Sequence, residues 1–255
     1  MNCLLKQKLR SGKVALGAFL KLNSPSVVEM MAIAGFDFVI VDCEHSNFNY
    51  SSVEDIIRTA DGAGLSSIIR LRGAAEEHIL HALDAGAGGV QIPGLATIDD
   101  VKKAVSYTKY YPDGIRGLSF NQRAALYGMG DKQEYLARSN ADSTVVVHVE
   151  SKAMADQVER LCQLSQVDVL FIGPQDLSQS MGKPGKPADP EVVSVIEDIF
   201  ATAKKYQKHI GIYVATEAAL AKYTEMGATY IAWQSDVTIF ANAIQKAAEA
   251  VSRYR

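Results

Sequence analysis

Short runs of apolar and β-branched residues alternate with stretches of helical period along the whole chain. Eight runs predict strands: residues 14–20 (VALGAFL), 36–44 (FDFVIVDCE), 66–72 (SSIIRLR), 88–94 (GGVQIPG), 144–150 (TVVVHVE), 167–173 (VDVLFIG), 209–215 (HIGIYVA) and 229–235 (TYIAWQS). Several are apolar almost without a break, the pattern of parallel strands covered on both faces. The helical stretches between them carry their own punctuation. Ser24-Pro25 sets a capping hydroxyl before a proline at the first helical position, and Asp189-Pro190 opens another helix. Residues 76–87 put Ile79, Leu80 and Leu83 on one face and run out at Gly86 and Gly88. Thr216 precedes an acidic first turn at Glu217.

Strand–helix alternation repeated eight times predicts an α/β fold, a (β/α)8 TIM barrel formed as one domain over residues 1–255. An open doubly wound sheet is the rival. It has fewer strands as a rule and often a glycine-rich phosphate turn after the first, where this chain reads FLKLNSPS. Two longer irregular stretches, residues 111–131 and 175–190, are candidates for function, because compact domains seldom keep long idle loops. The pair Met30-Met31 reads as core filler on the first helix after strand one.

Composition narrows the classes. Hydrophobic residues make up 48% and charged ones 22%, ordinary for a chain that fills a core. Lys+Arg at 26 against Asp+Glu at 29 leaves a net charge of −3, so nothing drives non-specific nucleic-acid binding. No apolar run approaches the roughly 20 residues of a membrane span. The N-terminal MNCLLKQKLRSG is charged every few positions, unlike a secretory signal. Cys3, Cys43 and Cys162 are too scattered for a disulfide framework or a zinc site. The expectation is a soluble, cytoplasmic protein working on small molecules.

In such a barrel the site lies at the C-terminal ends of the strands, and those ends carry the chemistry. Strand two ends Asp42-Cys43-Glu44-His45, strand three holds Arg70 and Arg72, strand five ends His148-Val149-Glu150, and strand six runs into Gly173-Pro174-Gln175-Asp176. Glu150 and Asp176 on neighbouring strands would repel each other unless a cation lay between them. Oxygen-only ligation with open positions suits Mg²⁺ or Mn²⁺ better than zinc. The bland alternative is that each carboxylate caps a helix or pairs with an arginine. His45, three residues after Asp42, can act as a base near neutrality, and a carboxylate on one ring nitrogen would fix its tautomer. His148 shares side-chain parity with Glu150 and so faces the same ring of residues. Of Arg70 and Arg72, one is expected to polarise a substrate carbonyl; the alternative is an interior ion pair with a carboxylate such as Glu44. The turn Gly173-Pro174-Gln175 could bind an anion through backbone N–H groups. Cys43 reads as packing.

Taken together, GFDFVIVDCEH (35–45), Arg70, GAGGVQIP (86–93), GIRG (114–117), Val149-Glu150 and FIGPQDLS (171–178) resemble the metal-dependent (class II) pyruvate aldolases of the 4-hydroxy-2-oxoheptanedioate and 2-dehydro-3-deoxyglucarate aldolase type. The resemblance implies a phosphoenolpyruvate/pyruvate-type barrel. It implies Glu150 and Asp176 as ligands of Mg²⁺ or Mn²⁺, with Co²⁺ as a further candidate. It also implies Asp42 and His45 as an acid/base dyad, Arg70 near the keto oxygen, and the Gly173-Pro174-Gln175 backbone on the pyruvate carboxylate. The implied reaction is reversible cleavage of a 4-hydroxy-2-oxo acid to pyruvate and an aldehyde, in a homohexamer whose C-terminal helix packs on a neighbour. Many relatives have Gln where this chain has His148, which singles out that position, and Arg123 is the arginine left in the loop after GIRG. Two other readings stay open: a malyl- or citryl-thioester lyase on the same barrel, and a non-catalytic 2-oxo-acid-binding barrel.

Overall fold

The computed structural model describes residues 4–252 and 254; Cys3 lies outside them. Eight parallel strands close on themselves in chain order: β1 Ala15–Leu20, β2 Phe38–Asp42, β3 Ser66–Arg70, β4 Gly89–Ile92, β5 Thr144–Val149, β6 Val169–Ile172, β7 His209–Val214 and β8 Tyr230–Ser235. Every one lies inside a stretch that the apolar pattern marked. The barrel closes where β1 pairs with β8, and the register slips there, Gly17 facing Ala232 but Phe19 facing Ser235. The extra residue is taken up around Gln234, whose φ of 51° lies in the left-handed region. Beyond the bulge, Asp236 turns inward and accepts hydrogen bonds from the backbone N–H groups of Lys21 and Leu22, both at 2.9 Å. That clip fixes where the chain leaves β1.

Two cores result. One lies between the barrel and its surrounding helices and uses the outward side chains of each strand, such as Val39 and Val41 on β2 or Val145, Val147 and Val149 on β5. The other fills the barrel with Phe19, Phe38, Ile40, Ile68, Val146, Val169, Phe171 and Tyr230, and Leu5 and Leu9 of the helix Leu4–Arg10 plug its lower end. The close approach of aromatic rings explains Gly211, where a Cβ would stand 2.8 Å from the Tyr230 ring and 2.9 Å from Phe171. Successive inward positions along a strand pass from apolar at the bottom to polar at the mouth: Phe38, Ile40, Asp42 on β2; Ile68, Arg70 on β3; Val146, His148, Glu150 on β5 and just beyond.

The helices depart from the simple eight. Residues 175–180 of the expected irregular stretch belong to a helix, Pro174–Ser180, and the N-terminal plug is an additional helix that its charged sequence conceals. The stretch 111–131 is irregular as expected, with a 3₁₀ turn at Arg123–Gly128. Met31 packs in the core while Met30 is 59% exposed, so the methionine pair is divided between inside and outside. The helix Pro25–Ile33 turns only one of the two adjacent positions inward.

Candidate active site

A cavity of about 310 Å³ opens at the C-terminal mouth, lined by Lys21, Arg70, His148, Gly173, Pro174, Gln175 and Asp176 over a floor of Phe19, Phe171 and Tyr213. Strand alternation brings these groups together: residues two apart on β1, β3, β5 and β6 all point inward, and the loop beyond β6 adds the first turn of a helix.

On one side stand the carboxylates. Glu150 is half-buried; its Oε1 accepts the Gly94 N–H at 2.7 Å and its Oε2 lies 2.5 Å from His148 Nδ1. Burial raises the Glu150 carboxyl, but the His148 hydrogen bond, the Gly94 N–H and Arg70 together bring it below the ordinary carboxylate value. Asp176 sits in the first turn of Pro174–Ser180. The two meet over Gly173: a Cβ placed there would stand 3.5 Å from Asp176 Oδ2 and 3.6 Å from Glu150 Oε2. The missing side chain thus leaves a small hollow bordered by one carboxylate oxygen of each residue. Among the described residues no three His, Cys, Asp or Glu side chains gather into a cation cage. A pair of oxygen donors with the rest of the shell open nevertheless fits a hard divalent cation that keeps water and takes substrate.

Opposite stand the cations. Arg70 donates Nε to Asp42 Oδ1 at 2.9 Å and Nη2 to Oδ2 at 2.6 Å, and its Nη1 reaches Glu44 Oε2 at 3.1 Å. Its guanidinium lies 4.7 Å over the Phe19 ring. The alternative of an interior ion pair and a place in the cavity therefore hold together for Arg70. Arg72 is different: it donates to the backbone oxygens of Cys43 at 3.1 Å and Phe48 at 2.6 Å, clamping the loop after β2 outside the cavity. Arg123 likewise turns away, to Asp61 at 2.6 Å and the Ala85 carbonyl at 2.9 Å. Cys43 packs against the outer core, and burial pushes its thiol up to about 11.

Asp42 is wholly buried. Desolvation raises its carboxyl, but the Arg70 hydrogen bonds and charge outweigh that, helped by the His45 N–H and Lys21, and hold it below its ordinary value. Its oxygens are taken by Arg70, by Lys21 Nζ at 3.1 Å and by the backbone N–H of His45 at 3.1 Å. The contact between Asp42 and His45 thus runs through the main chain and not through the ring, as the dyad reading had it. The ring stands at the rim, its side chain 57% exposed, with Nε2 3.8 Å from Glu44 Oε2. Glu44 is the carboxylate nearest to it, and burial raises the Glu44 carboxyl against the pull of Arg70 and His45.

Lys21 lies just beyond the apolar run 14–20 that marks the first strand. It follows β1 by one position and shares parity with Phe19, the signal that would have found it. Gln91 and Tyr230, which sit below His148, carry no charge and read as strand residues in the sequence.

The chain is similar to known proteins over nearly its whole length. Residues 15–243 match the model of the HpcH/HpaI aldolase/citrate lyase family. A 5-keto-4-deoxy-D-glucarate aldolase of Klebsiella pneumoniae is 33% identical over 248 residues, covering 97% of this chain and 96% of its own. A solved HpcH/HpaI aldolase/citrate lyase family protein from Burkholderia cenocepacia superposes with a TM-score of 0.92 at 34% identity, over 99% of this chain and 100% of that one. An HpcH/HpaI aldolase from Desulfitobacterium hafniense gives a TM-score of 0.92 at 27% identity, over 97% and 96% of the two chains. With the family model matched across nearly the whole barrel and a curated relative 33% identical over nearly the full length of both chains, the chain belongs to the HpcH/HpaI aldolase/citrate lyase family.

Proposed function

We propose that this lyase cleaves a 4-hydroxy-2-oxo acid reversibly to pyruvate and an aldehyde with the help of a divalent cation. The observation that carries the reading is the hollow at Gly173, flanked by Glu150 and Asp176 and faced across the cavity by Arg70 and Lys21. Glu150 and Asp176 would hold the cation, Mg²⁺ or Mn²⁺ with Co²⁺ as a substitute. When bound, it supplies Lewis-acid stabilisation of the negative charge that develops on the 2-oxo acid.

The protein's own groups do the rest. The first turn of Pro174–Ser180 offers N–H groups that lack intrahelical partners, and the Gly173-Pro174-Gln175 segment receives the substrate carboxylate there. Arg70, held rigid by Asp42 and Glu44, keeps a positive charge beside the oxygen of C2. His45 takes the proton of the 4-hydroxyl. The C3–C4 bond then breaks, C4 becomes the aldehyde carbonyl, and the electron pair passes to the C2–C3 enolate, which gains a proton at C3 to become pyruvate. Phe19, Phe171 and Tyr213 keep water from the floor. Lys21, the second cation at the mouth, suits an anionic group on the aldehyde half. The relatives' named substrate, a keto-deoxy-glucarate, belongs to that acidic class.

The chain is further read as one domain over residues 1–255, cytoplasmic, and part of a homo-oligomer, a hexamer as in the family. No described helix is long and apolar enough to cross a membrane. The C-terminal helix Asp236–Ser252 buries only Asp236 and leaves Ile239, Phe240, Ile244 and Val251 exposed, which supports a partner subunit.

The test is pyruvate release from a panel of 4-hydroxy-2-oxo acids. Dialysis against a chelator should abolish release, and Mn²⁺, Mg²⁺ or Co²⁺ should restore it. Activity that survives chelation and is lost to borohydride with pyruvate, with a mass gain at Lys21, would overturn the reading in favour of an imine at that lysine.

A further inference from the structure

Below the mouth, four polar side chains run in single file through the barrel interior. The hydroxyl of Tyr230 on β8 donates to Oε1 of Gln91 on β4 at 3.0 Å. Gln91 Nε2 lies 2.7 Å from Nε2 of His148 on β5, and His148 Nδ1 lies 2.5 Å from Oε2 of Glu150. Tyr230 and Gln91 are wholly buried and His148 is 2% exposed. Their surroundings are aromatic: the Tyr230 ring lies 4.2 Å from Phe38 and 5.9 Å from Phe171, and the imidazole 5.0 Å from Phe171. Polar groups persist in such a place only when each is partnered.

The file has a direction. A phenol donating to the amide oxygen leaves the amide NH₂ facing the imidazole, so His148 Nε2 must accept. The ring proton then sits on Nδ1 and points at the Glu150 carboxylate. With the Gly94 N–H on Oε1, both oxygens of Glu150 are held, and Oε2 borders the hollow at Gly173.

We propose that Tyr230, Gln91 and His148 form a positioning relay that fixes the Nδ1-protonated tautomer of His148 and, through it, the aim of the Glu150 carboxylate. The inference rests on the proposed reading of Glu150 as a cation ligand and deepens it. A side chain on β8 thereby sets the readiness of a ligand beyond β5, with no contact of its own to the site. A glutamine at position 148 could offer one amide donor to the glutamate. The imidazole here ties that donor to a chain of fixed polarity.

Two measurements test this. ¹⁵N spectra of histidine-labelled, metal-free protein, with His148 assigned by loss of its signals in His148→Gln, should show the Nδ1–H tautomer. Tyr230→Phe keeps the ring packing but removes the donor that orients Gln91. It should move the His148 signals towards a mixture of tautomers and weaken Mn²⁺ binding in titration about 10-fold, within the 10–100-fold range of lost outer-shell partners. Its melting temperature reports folding separately. An Nε2–H tautomer in the wild type, or an unaltered Mn²⁺ affinity in Tyr230→Phe, would overturn the relay while leaving the aldolase reading in place. Failure of the wild type itself to bind Mn²⁺ would overturn the cation site and the relay's purpose with it.

Discussion

Arg70 and His45 are both placed by the end of a strand, yet they differ in how firmly they are held. Arg70 is held on several sides at once: two hydrogen bonds to Asp42, one ion pair to Glu44 and a stack on Phe19. A lysine keeps the charge but cannot span both Asp42 oxygens. Arg70→Lys should therefore lower kcat by about 10²–10³, the scale of losing a fixed stabiliser of developing charge, while Mn²⁺ affinity stays near that of the wild type; kcat within a few-fold of normal would refute the role. His45 is at the rim, tied by its main chain and free at its ring. His45→Ala should cost about 10²–10⁴ in kcat with little change in KM, as for removal of a positioned base, and leave the melting temperature unchanged. A fall in melting temperature of several degrees would mean that the ring supports structure instead.

At the scale of elements, what the sequence could tell depended on whether a signal repeats. The strands were legible because eight apolar runs repeat one pattern, and parity along them placed Asp42, Arg70, His148 and Glu150 on the inward face. Parity ends with the strand, and so did the reading: Arg72 continues the alternation of Arg70 in sequence but turns to the loop carbonyls of Cys43 and Phe48. The ring of His45, three residues past the end of β2, escapes Asp42 for the same reason. The Tyr230–Gln91–His148 file joins residues up to 139 positions apart, and no local pattern encodes such a contact. The C-terminal helix shows the converse. Its apolar positions were plain in the sequence, and in the single chain they find nothing to cover, Phe240 being 59% exposed and Ile244 52%. A surface of that kind suits the proposed contact between subunits. Phe240→Asp combined with Ile244→Asp should shift the mass seen by light scattering from oligomer towards monomer without loss of circular-dichroism signal. An unchanged mass would exclude this helix from the contact.

Across the whole molecule the barrel separates two tasks by its two ends. The mouth gathers charge for chemistry; the opposite end, plugged by Leu5 and Leu9, gathers charge for closure. There Lys6 reaches Asp168 at 3.0 Å and the Ser143 carbonyl at 2.9 Å, and Lys109 donates to the Asn140 carbonyl at 2.7 Å. Burial, aided by the nearby charge of Lys6, pushes Lys109 down to about 8 from the ordinary 10.5. Below pH 8 the ammonium is protonated in folded and unfolded chains alike, and the fold bears the full cost of burying it. Between pH 8 and 10.5 the folded chain has released this proton while the unfolded chain still binds it. Stability linked to this group must therefore rise with pH across that window. Relative to Lys109→Met, the wild type should gain on the order of 2 kcal/mol in urea-unfolding free energy from pH 7 to pH 10. The difference between the two proteins isolates Lys109 from the tyrosines that titrate towards the upper end. A difference that stays flat, or falls, would show that the ammonium is as well solvated in the fold as outside it. Because the cluster lies at the far end of the strands from Glu150 and Asp176, the same substitution should leave Mn²⁺ affinity and kcat at pH 7 unchanged, so a loss of either would show that the two ends of the barrel are energetically joined.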